Sequence, residues 1–251
     1  MTEKKRLRTA GRILLSITGL LGILVLGFII WGSSPARPIP EALAALQSDA
    51  DVSVAAGKWL TFQPVSIKPT TGLIIYPGGH VDYRAYAPAA YAIAAQGYLV
   101  VIAKMPLNLA VFDPGAAAGV ISAHPEIQRW AIGGHSLGGA MAANFVYTHP
   151  DSVDGLVLWA AYPAEGNNLS DTEIQVLSIS GTLDGLSTPG KISTSRTLLP
   201  PGTNWVLIKG GNHAQFGWYG TQSGDNIATA SREEQQAQII KATLTFLKSL
   251  E

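Results

Sequence analysis

A serine lies between two closely spaced glycines in the segment Ala131–Ala140, which reads Ala-Ile-Gly-Gly-His-Ser-Leu-Gly-Gly-Ala. The pattern Gly134-x-Ser136-x-Gly138 is typical of a sharp turn from a strand into a helix, with the serine at its apex. A side chain two residues before or after that serine would clash inside the turn, so both positions need glycine. The serine oxygen would then lie at a helix N-terminus, where free N–H groups favour developing negative charge. Ser136 is therefore a candidate nucleophile, and an ordinary glycine-rich turn is the alternative.

The residues on either side of this segment favour the nucleophile. Gln128–Gly133 precedes the serine and has the composition of a short strand. Gly139–Tyr147 follows it and has the composition of a helix whose first turns contain small residues. Small residues at these positions let a helix pack closely against a sheet.

Strands and helices alternate over most of the chain. The predicted strands are Trp59–Val65, Gly72–Tyr76, Tyr98–Ala103, Gln128–Gly133, Gly155–Ala160, Ile174–Ser180 and Thr203–Lys209. The main predicted helices are Tyr83–Gln96, Pro114–His124, Gly139–Tyr147 and Ser231–Leu250, the last beginning with a Ser231-x-x-Glu234 capping box. This alternation predicts an α/β fold with a mainly parallel, doubly wound sheet that is covered by helices on both faces.

Two polar residues follow the last two predicted strands. His213 directly follows the final strand, at the carboxyl edge of the sheet, where open α/β sheets place their sites. Asp184 follows the penultimate strand, and a buried carboxylate there would orient an imidazole and stabilise its cation. His213 could instead be a simple loop residue, and Asp184 a turn residue of the Asp-Gly type. Asp154 and Asp171 are weaker candidates for the acid, because neither directly follows the strand before that of His213.

The glycine-flanked serine, the strand order and the downstream residues together resemble the α/β-hydrolase superfamily. The resemblance extends from about Trp59 to the C-terminus and is closest to a small lidless branch that includes dienelactone-hydrolase-like proteins and simple carboxylesterases. The triad of this superfamily runs in the chain order nucleophile, acid and histidine, and Ser136, Asp184 and His213 match that order. The resemblance implies a serine hydrolase that cleaves a carboxylic ester or related acyl bond of a small-molecule substrate through an acyl-enzyme.

The same resemblance implies two backbone donors for the oxyanion. One is the N–H of Leu137, directly after the nucleophile, and the other comes from the loop that follows Gly72–Tyr76. The family often has His-Gly in that loop, whereas this chain has Pro77-Gly78, so the alignment assigns the second donor to Gly79. A thioesterase, a peptidase, an acyltransferase or a catalytically silent binding domain remains an alternative on the same fold.

Composition excludes several other classes of protein. The chain has a formal net charge of zero, but five of its 17 cations lie in the first twelve residues and the remainder is mildly acidic, which argues against nucleic-acid binding. There is no cysteine, so disulfides, thiolate catalysis and cysteine-ligated zinc are excluded. No histidines have metal-ligand spacing and no nucleotide-binding glycine motif is present, so the sequence predicts neither a metal nor a cofactor.

An uncharged apolar run, Ile13–Trp31, follows a basic segment that ends at Arg12. About nineteen residues in a helix span the hydrocarbon core of a bilayer. The positive-inside rule places the N-terminus in the cytoplasm and the catalytic domain outside it, as a single-pass membrane protein. A cleaved signal peptide, which would yield a secreted protein, is the alternative; its apolar region would normally be shorter.

The sequence thus predicts four segments. These are a basic cytoplasmic tail (1–12), a transmembrane anchor (13–31), a proline-containing tether (32–50) and a catalytic domain (51–251). The superfamily usually inserts its lids after the strand that follows the helix next to the nucleophile. Here that insertion, Tyr162–Glu173, is short and polar, and its composition predicts no helical cap. We therefore expect an open site that is shaped by Pro106–Phe112 and by Phe216, Trp218 and Tyr219, and that prefers short acyl groups.

Overall fold

The computed structural model describes residues 3–251, with side chains at residue 13 and from residue 15 onward. It divides into two compact units, one that ends at Pro35 and one that comprises Ala36–Glu251. Residues 1 and 2 of the predicted basic tail, and the side chains of its lysines and arginines, lie outside the described residues.

The first unit is a single helix, α1 (Glu3–Gly32). At 1.5 Å per residue it is about 45 Å long. The apolar side chains between Leu15 and Trp31 that the structure describes are largely exposed, and the span Leu15–Gly32 is long and apolar enough to cross a membrane. An N-terminal signal sequence has the same properties, so length and composition leave both interpretations open.

The second unit contains an eight-stranded sheet. Its strands are β1 (Val52–Ala56), β2 (Leu60–Pro64), β3 (Thr71–Tyr76), β4 (Leu99–Ile102), β5 (Arg129–His135), β6 (Gly155–Trp159), β7 (Gln175–Gly181) and β8 (Asn204–Ile208). Their order is β1-β2-β4-β3-β5-β6-β7-β8; β1 and β2 are antiparallel to their neighbours and the other strands are parallel to one another. The mainly parallel sheet that the sequence predicted is confirmed, with β1 as a short edge strand that was not predicted.

Helices cover both faces of this sheet. They are α2 (Pro40–Ala44), α3 (Ala87–Ala94), α4 (Ala116–Ala123), α5 (Leu137–Thr148), α6 (Pro189–Thr194) and α7 (Arg232–Ser249). Successive residues of a strand point to opposite faces, and the central strands are apolar on both. In β3, Leu73 and Ile75 pack in one cluster with α3 and α7, whereas Ile74 and Tyr76 pack in another with α4 and α5. The predicted capping box starts α7.

The chain from Ala36 onward belongs to the folded unit, although the sequence predicted a tether over 32–50. The N–H of Ala36 donates to the carbonyl of His80 at 2.9 Å, and its own carbonyl accepts from the N–H of Asp82 at 3.0 Å. The N–H of Ile39 donates to the carbonyl of Trp218 at 3.0 Å, and Ala42 is fully buried. Prolines in this segment indicated an extended chain, but composition carries no information about the partner with which that chain pairs.

Candidate active site

Ser136 occupies the turn between β5 and α5 with φ 53° and ψ −123°. A non-glycine residue in this region of φ/ψ space costs about 1–3 kcal/mol, which the surrounding packing must offset. A Cβ on Gly134 would lie 2.5 Å from the carbonyl oxygen of Tyr76, and one on Gly138 would overlap the carbonyl oxygens of Tyr76 and Pro77. The prediction that this turn excludes side chains at both positions is confirmed.

Asp184 and His213 form a buried pair. Nδ1 of His213 lies 2.8 Å from Oδ2 of Asp184, and both side chains are inaccessible to solvent. The other oxygen of Asp184 accepts hydrogen bonds from the N–H groups of Leu186, at 2.8 Å, and Ser187, at 2.7 Å. A carboxylate only accepts hydrogen bonds, so Nδ1 of His213 carries the proton and Nε2 is left with its lone pair. Nε2 is buried and has no hydrogen-bond partner.

The fold brings the three residues singled out in the sequence to one edge of the sheet. Ser136 follows β5, Asp184 follows β7, and His213 follows β8. The imidazole ring of His135, beside Ser136 in the chain, lies 4.4 Å from that of His213 between ring centroids, so His213 is next to the turn. The hydroxyl of Ser136 forms no hydrogen bond with any described residue, and in this conformation it is therefore not hydrogen-bonded to His213.

The weaker candidates for the acid lie elsewhere. Asp154 precedes β6, at the opposite edge of the sheet, where it pairs with Arg129 at 2.8 Å and accepts the N–H of Trp130 at 2.9 Å. Asp171 is exposed in the loop between β6 and β7. Within the part of the chain that the structure describes, no three histidine or acidic side chains are grouped so that they could hold a metal ion.

The loop after β3 has one N–H group that remains available. The N–H of Gly78 donates to the hydroxyl of Tyr86 at 2.9 Å, and the N–H of His80 donates to the carbonyl of Asn108 at 2.8 Å. Proline at position 77 has no N–H. Among the described residues, the N–H of Gly79 has no acceptor.

Gly79 lies directly against the first residue of α5. A Cβ on Gly79 would be 2.9 Å from Cδ2 of Leu137 and 3.4 Å from its Cβ. The N–H of Leu137 is the first of the helix, where N–H groups have no partner within the helix. The N–H groups of Gly79 and Leu137 thus lack acceptors among the described residues, and the two residues are in contact in space beside Ser136. Such an arrangement can bind a negatively charged oxygen.

A buried hydrogen-bonded chain supports this loop. The hydroxyl of Tyr86 accepts the N–H of Gly78 at 2.9 Å and forms a second hydrogen bond with Nδ1 of His135, also at 2.9 Å. Both rings are fully buried. Burial lowers the pKa of His135 well below its ordinary value, and the neighbouring His213 lowers it further, so the ring is neutral. The sequence did not identify Tyr86, because one tyrosine in an alanine-rich segment gives no functional signal.

A cavity of about 320 Å³ opens beside the serine. It is lined by Ser136, Leu137, Ala140, Ala161, Tyr162, Pro163, Ala164 and Ser187. The insertion that supplies its outer wall contains no helix, as its composition predicted.

The prediction that Phe216 and Tyr219 shape the site was wrong: both are buried, and the ring of Phe216 stacks on His135. They pack inward because the chain turns back over the sheet after His213.

Comparisons with known proteins agree with this architecture. The Alpha/beta hydrolase family is matched over residues 72–237. The chain is similar to the solved structure of a CIB-like hydrolase from Thermoplasma acidophilum, at 16% identity and a TM-score of 0.58, covering 79% of this chain and 100% of that one. It is also similar to the esterase domain of a Rhodothermus marinus protein, at 14% identity and a TM-score of 0.61, covering 79% and 98% of the two chains.

A third solved structure is similar to this chain to the same degree. Carboxylesterase CesB from Bacillus subtilis is 13% identical with a TM-score of 0.58, and the match covers 83% of this chain and 95% of that one. At these identities the likeness shows a shared fold. No curated protein matches the sequence.

The buried histidine before the serine makes stability depend on pH. The unfolded chain binds a proton at His135 with a pKa near 6.5, whereas the folded chain does not. Below about pH 6.5 we therefore expect His135 to reduce the free energy of unfolding by up to about 1.4 kcal/mol per pH unit, until its lowered pKa is reached. His135→Asn retains an acceptor for the hydroxyl of Tyr86 but cannot titrate, so this part of the slope should disappear. Urea unfolding between about pH 7 and pH 5 measures the difference.

His149→Asn serves as the matched control, because it removes the imidazole of the residue that follows α5, outside the site. This variant should retain the slope of the wild-type protein. Identical slopes in the wild-type protein and His135→Asn would contradict the assignment of the acid sensitivity to the buried ring.

Proposed function

Because the chain belongs to the alpha/beta hydrolase family, we propose that it is a serine hydrolase that cleaves carboxylic esters through Ser136, Asp184 and His213. The observation that carries the proposal is the buried 2.8 Å contact between Asp184 and His213, which leaves Nε2 of the imidazole without a partner among the described residues. The ring of His213 packs against His135, the residue before the strained Ser136. The esterase and carboxylesterase among the structurally similar proteins favour an ester over a thioester or amide.

In the proposed reaction, Oγ of Ser136 attacks the carbonyl carbon of the ester while its proton passes to Nε2 of His213. The serine hydroxyl must first rotate towards Nε2, as is common when a catalytic hydrogen bond tightens on substrate binding. Asp184 keeps the second imidazole nitrogen protonated and stabilises the positive charge that the ring acquires. Two hydrogen bonds from Leu186 and Ser187 hold that carboxylate in place.

The carbonyl oxygen becomes an oxyanion in the same step. The N–H groups of Gly79 and Leu137 are its proposed donors, because they are adjacent and have no other acceptor among the described residues. Removal of one such donor from a serine hydrolase typically costs about 10²–10³ in rate, so their placement is a large part of catalysis.

The oxyanion then collapses and the ester C–O bond breaks. His213 gives its proton to the leaving alcohol, and Ser136 retains the acyl group. Water attacks the acyl carbon and passes a proton to Nε2, after which the acid leaves and Ser136 recovers its proton from His213. The enzyme returns to its starting state, and no cofactor is required at any step.

We also propose that α1 anchors the enzyme in a membrane as a single-pass helix, with the N-terminus in the cytoplasm and the catalytic unit outside it. Support comes from the length of the helix, the exposed apolar side chains between Leu15 and Trp31, and the cations before residue 13. The positive-inside rule assigns the orientation.

Ser136→Ala should fold normally and lose catalysis. The serine hydroxyl makes no hydrogen bond with any residue that the structure describes, so its removal should leave the free energy of unfolding unchanged. Turnover of p-nitrophenyl acetate should fall by at least about a thousandfold, since the nucleophile is lost. Labelling by a fluorophosphonate should also disappear.

Ser187→Ala provides the control for labelling, because Ser187 is a second serine that lines the same cavity. This variant should still react with the probe. Ester turnover by Ser136→Ala within tenfold of wild type would refute the assignment of Ser136 as the nucleophile. A wild-type protein that neither hydrolyses esters nor reacts with the fluorophosphonate would be a silent binding domain.

Removal of residues 1–35 should release the catalytic unit from the membrane without lowering its activity or its stability. The truncation is placed before Ala36 because Ala36 and Ile39 form backbone hydrogen bonds within the folded unit. Full-length protein should sediment with membranes, whereas the truncated protein should remain soluble with an unchanged kcat and Tm. A full-length gene product recovered in the soluble fraction with a shortened N-terminus would support the cleaved signal peptide instead.

The size of the cavity predicts a preference for short acyl groups. A volume of about 320 Å³ lies at the lower end of the range for ligand pockets and is open to solvent. Each buried methylene contributes about 0.8 kcal/mol, so kcat/KM should rise over the first few carbons of the acyl chain and then level off. Ala140→Leu narrows the cavity from α5 and should shift the optimum towards acetate. Kinetics on p-nitrophenyl esters of increasing length test this, and a continued rise beyond about eight carbons would contradict it.

A further inference from the structure

Asp225 joins the two loops that carry the proposed acid and the proposed base. One carboxylate oxygen of Asp225 accepts the N–H of Gly185 at 3.0 Å and the N–H of His213 at 3.2 Å. The other oxygen accepts the N–H of Ala214 at 2.8 Å. A single half-buried side chain therefore contacts the residue after Asp184, the histidine itself and the residue after the histidine.

We propose that Asp225 is a positioning residue, which keeps the imidazole of His213 aligned between Asp184 and Ser136 during turnover. The inference rests on the proposed serine hydrolase function, and it adds a residue that is outside the triad and makes no contact with the substrate cavity. Asp225 acts through the backbone, because all three of these hydrogen bonds come from main-chain N–H groups of the two loops.

The local chain is built to allow this contact. A Cβ on Gly185 would overlap the carbonyl oxygen of Gly224 and lie 3.0 Å from the N–H nitrogen of Asn226, so only glycine permits the approach. Gly224 itself has φ +83°, a conformation that side chains disfavour. The glycine after Asp184 is therefore required because the turn that carries Asp225 packs directly on it.

Other contacts join the same loops nearer the strands. The N–H of Gly210 donates to the hydroxyl of Thr182, and the N–H of Leu183 donates to the carbonyl of Gly211. These hydrogen bonds hold the parts of the loops next to the strands, whereas those of Asp225 hold the parts that carry Asp184 and His213. Loss of Asp225 should therefore leave the fold intact and release the ends of the loops, where a displacement of about 1 Å can cost up to about a hundredfold in rate.

The carboxylate is needed because its two oxygens accept four backbone N–H groups, the three already described and that of Asn226 at 2.9 Å. In Asp225→Ala both acceptors are lost, and kcat should fall about 10–100-fold with little change in KM, since the cavity wall is not altered. In Asp225→Asn one oxygen is replaced by an NH₂ group that cannot accept a hydrogen bond, so its kcat should lie between those of wild type and Asp225→Ala. The substrate is p-nitrophenyl acetate, and rates are normalised to the folded fraction measured by circular dichroism.

A spectroscopic measurement separates positioning from loss of folding. The Nδ1 proton of His213, hydrogen-bonded to a buried carboxylate, should give a far-downfield proton NMR resonance in the wild-type protein and none in His213→Gln. In Asp225→Ala this resonance should broaden or disappear while the remaining spectrum stays folded. If Asp225→Ala does not fold, Asp225→Asn carries the test, with a reduced kcat and a broadened resonance.

Asp154→Asn is the matched control, because Asp154 also accepts a backbone N–H but lies at the opposite edge of the sheet. It should keep both wild-type kcat and the resonance. Wild-type kcat per folded molecule together with an intact resonance in the Asp225 variants would overturn the positioning role. A wild-type protein without ester turnover or probe labelling would overturn the proposed function instead, which distinguishes the two failures.

Discussion

The close contact between the serine turn and the end of β3 is the constraint on which the site depends. Gly134 and Gly138 lie so near the carbonyl oxygens of Tyr76 and Pro77 that neither position can carry a side chain. The loop that contains Gly79 begins at those same carbonyls. This one steric contact therefore determines the backbone conformation of Ser136. It also determines the distance from the serine to the loop that carries the N–H group of Gly79. The strain of a positive φ at Ser136 is maintained because the packing on both sides leaves no alternative.

A second feature of the site is a set of buried hydrogen bonds that hold Tyr86 and Asp184 in place. The hydroxyl of Tyr86 accepts the N–H of Gly78 and also hydrogen-bonds to Nδ1 of His135, so one hydroxyl group satisfies two buried polar atoms. Asp184 receives three hydrogen bonds in a site that excludes water. Among the described residues, Nε2 of His213 is buried without a partner, as is Nε2 of the neighbouring His135. An unsatisfied buried acceptor costs about 1–3 kcal/mol, and at a catalytic base this cost is recovered when the nucleophile donates its proton.

Much of the architecture could be predicted because its causes are local in sequence. Continuous apolar runs identified the buried parallel strands, and the spacing of glycines around Ser136 identified the turn. The position of Asp184 and His213 directly after successive strands placed them at one edge of the sheet, which the structure confirms as a location while their catalytic roles remain proposals. The β1 strand was missed because it is short, exposed on most of its length and defined by its partner β2.

The remaining features depend on contacts that are distant in sequence. Tyr86 is 49 residues from its partner His135, and Asp225 is 40 residues from Gly185. Nothing in either local sequence distinguishes these side chains from ordinary surface or helix residues. The inward packing of Phe216 and Tyr219 was likewise missed, because an aromatic residue after a glycine-rich loop can face the core or the solvent, and only the path of the backbone decides between them.

The wall of the cavity formed by Tyr162–Ala164 has a consequence for how such an enzyme can diverge. This wall belongs to a connection without helix or strand, and none of the side chains of Ser136, Asp184 and His213 hydrogen-bonds to it. Insertions and exchanges in surface connections of this kind are tolerated far better than changes in the sheet. Substitutions in this one segment can therefore change the shape of the cavity without altering the backbone around Ser136, whereas a side chain at Gly134 or Gly138 would collide with the end of β3.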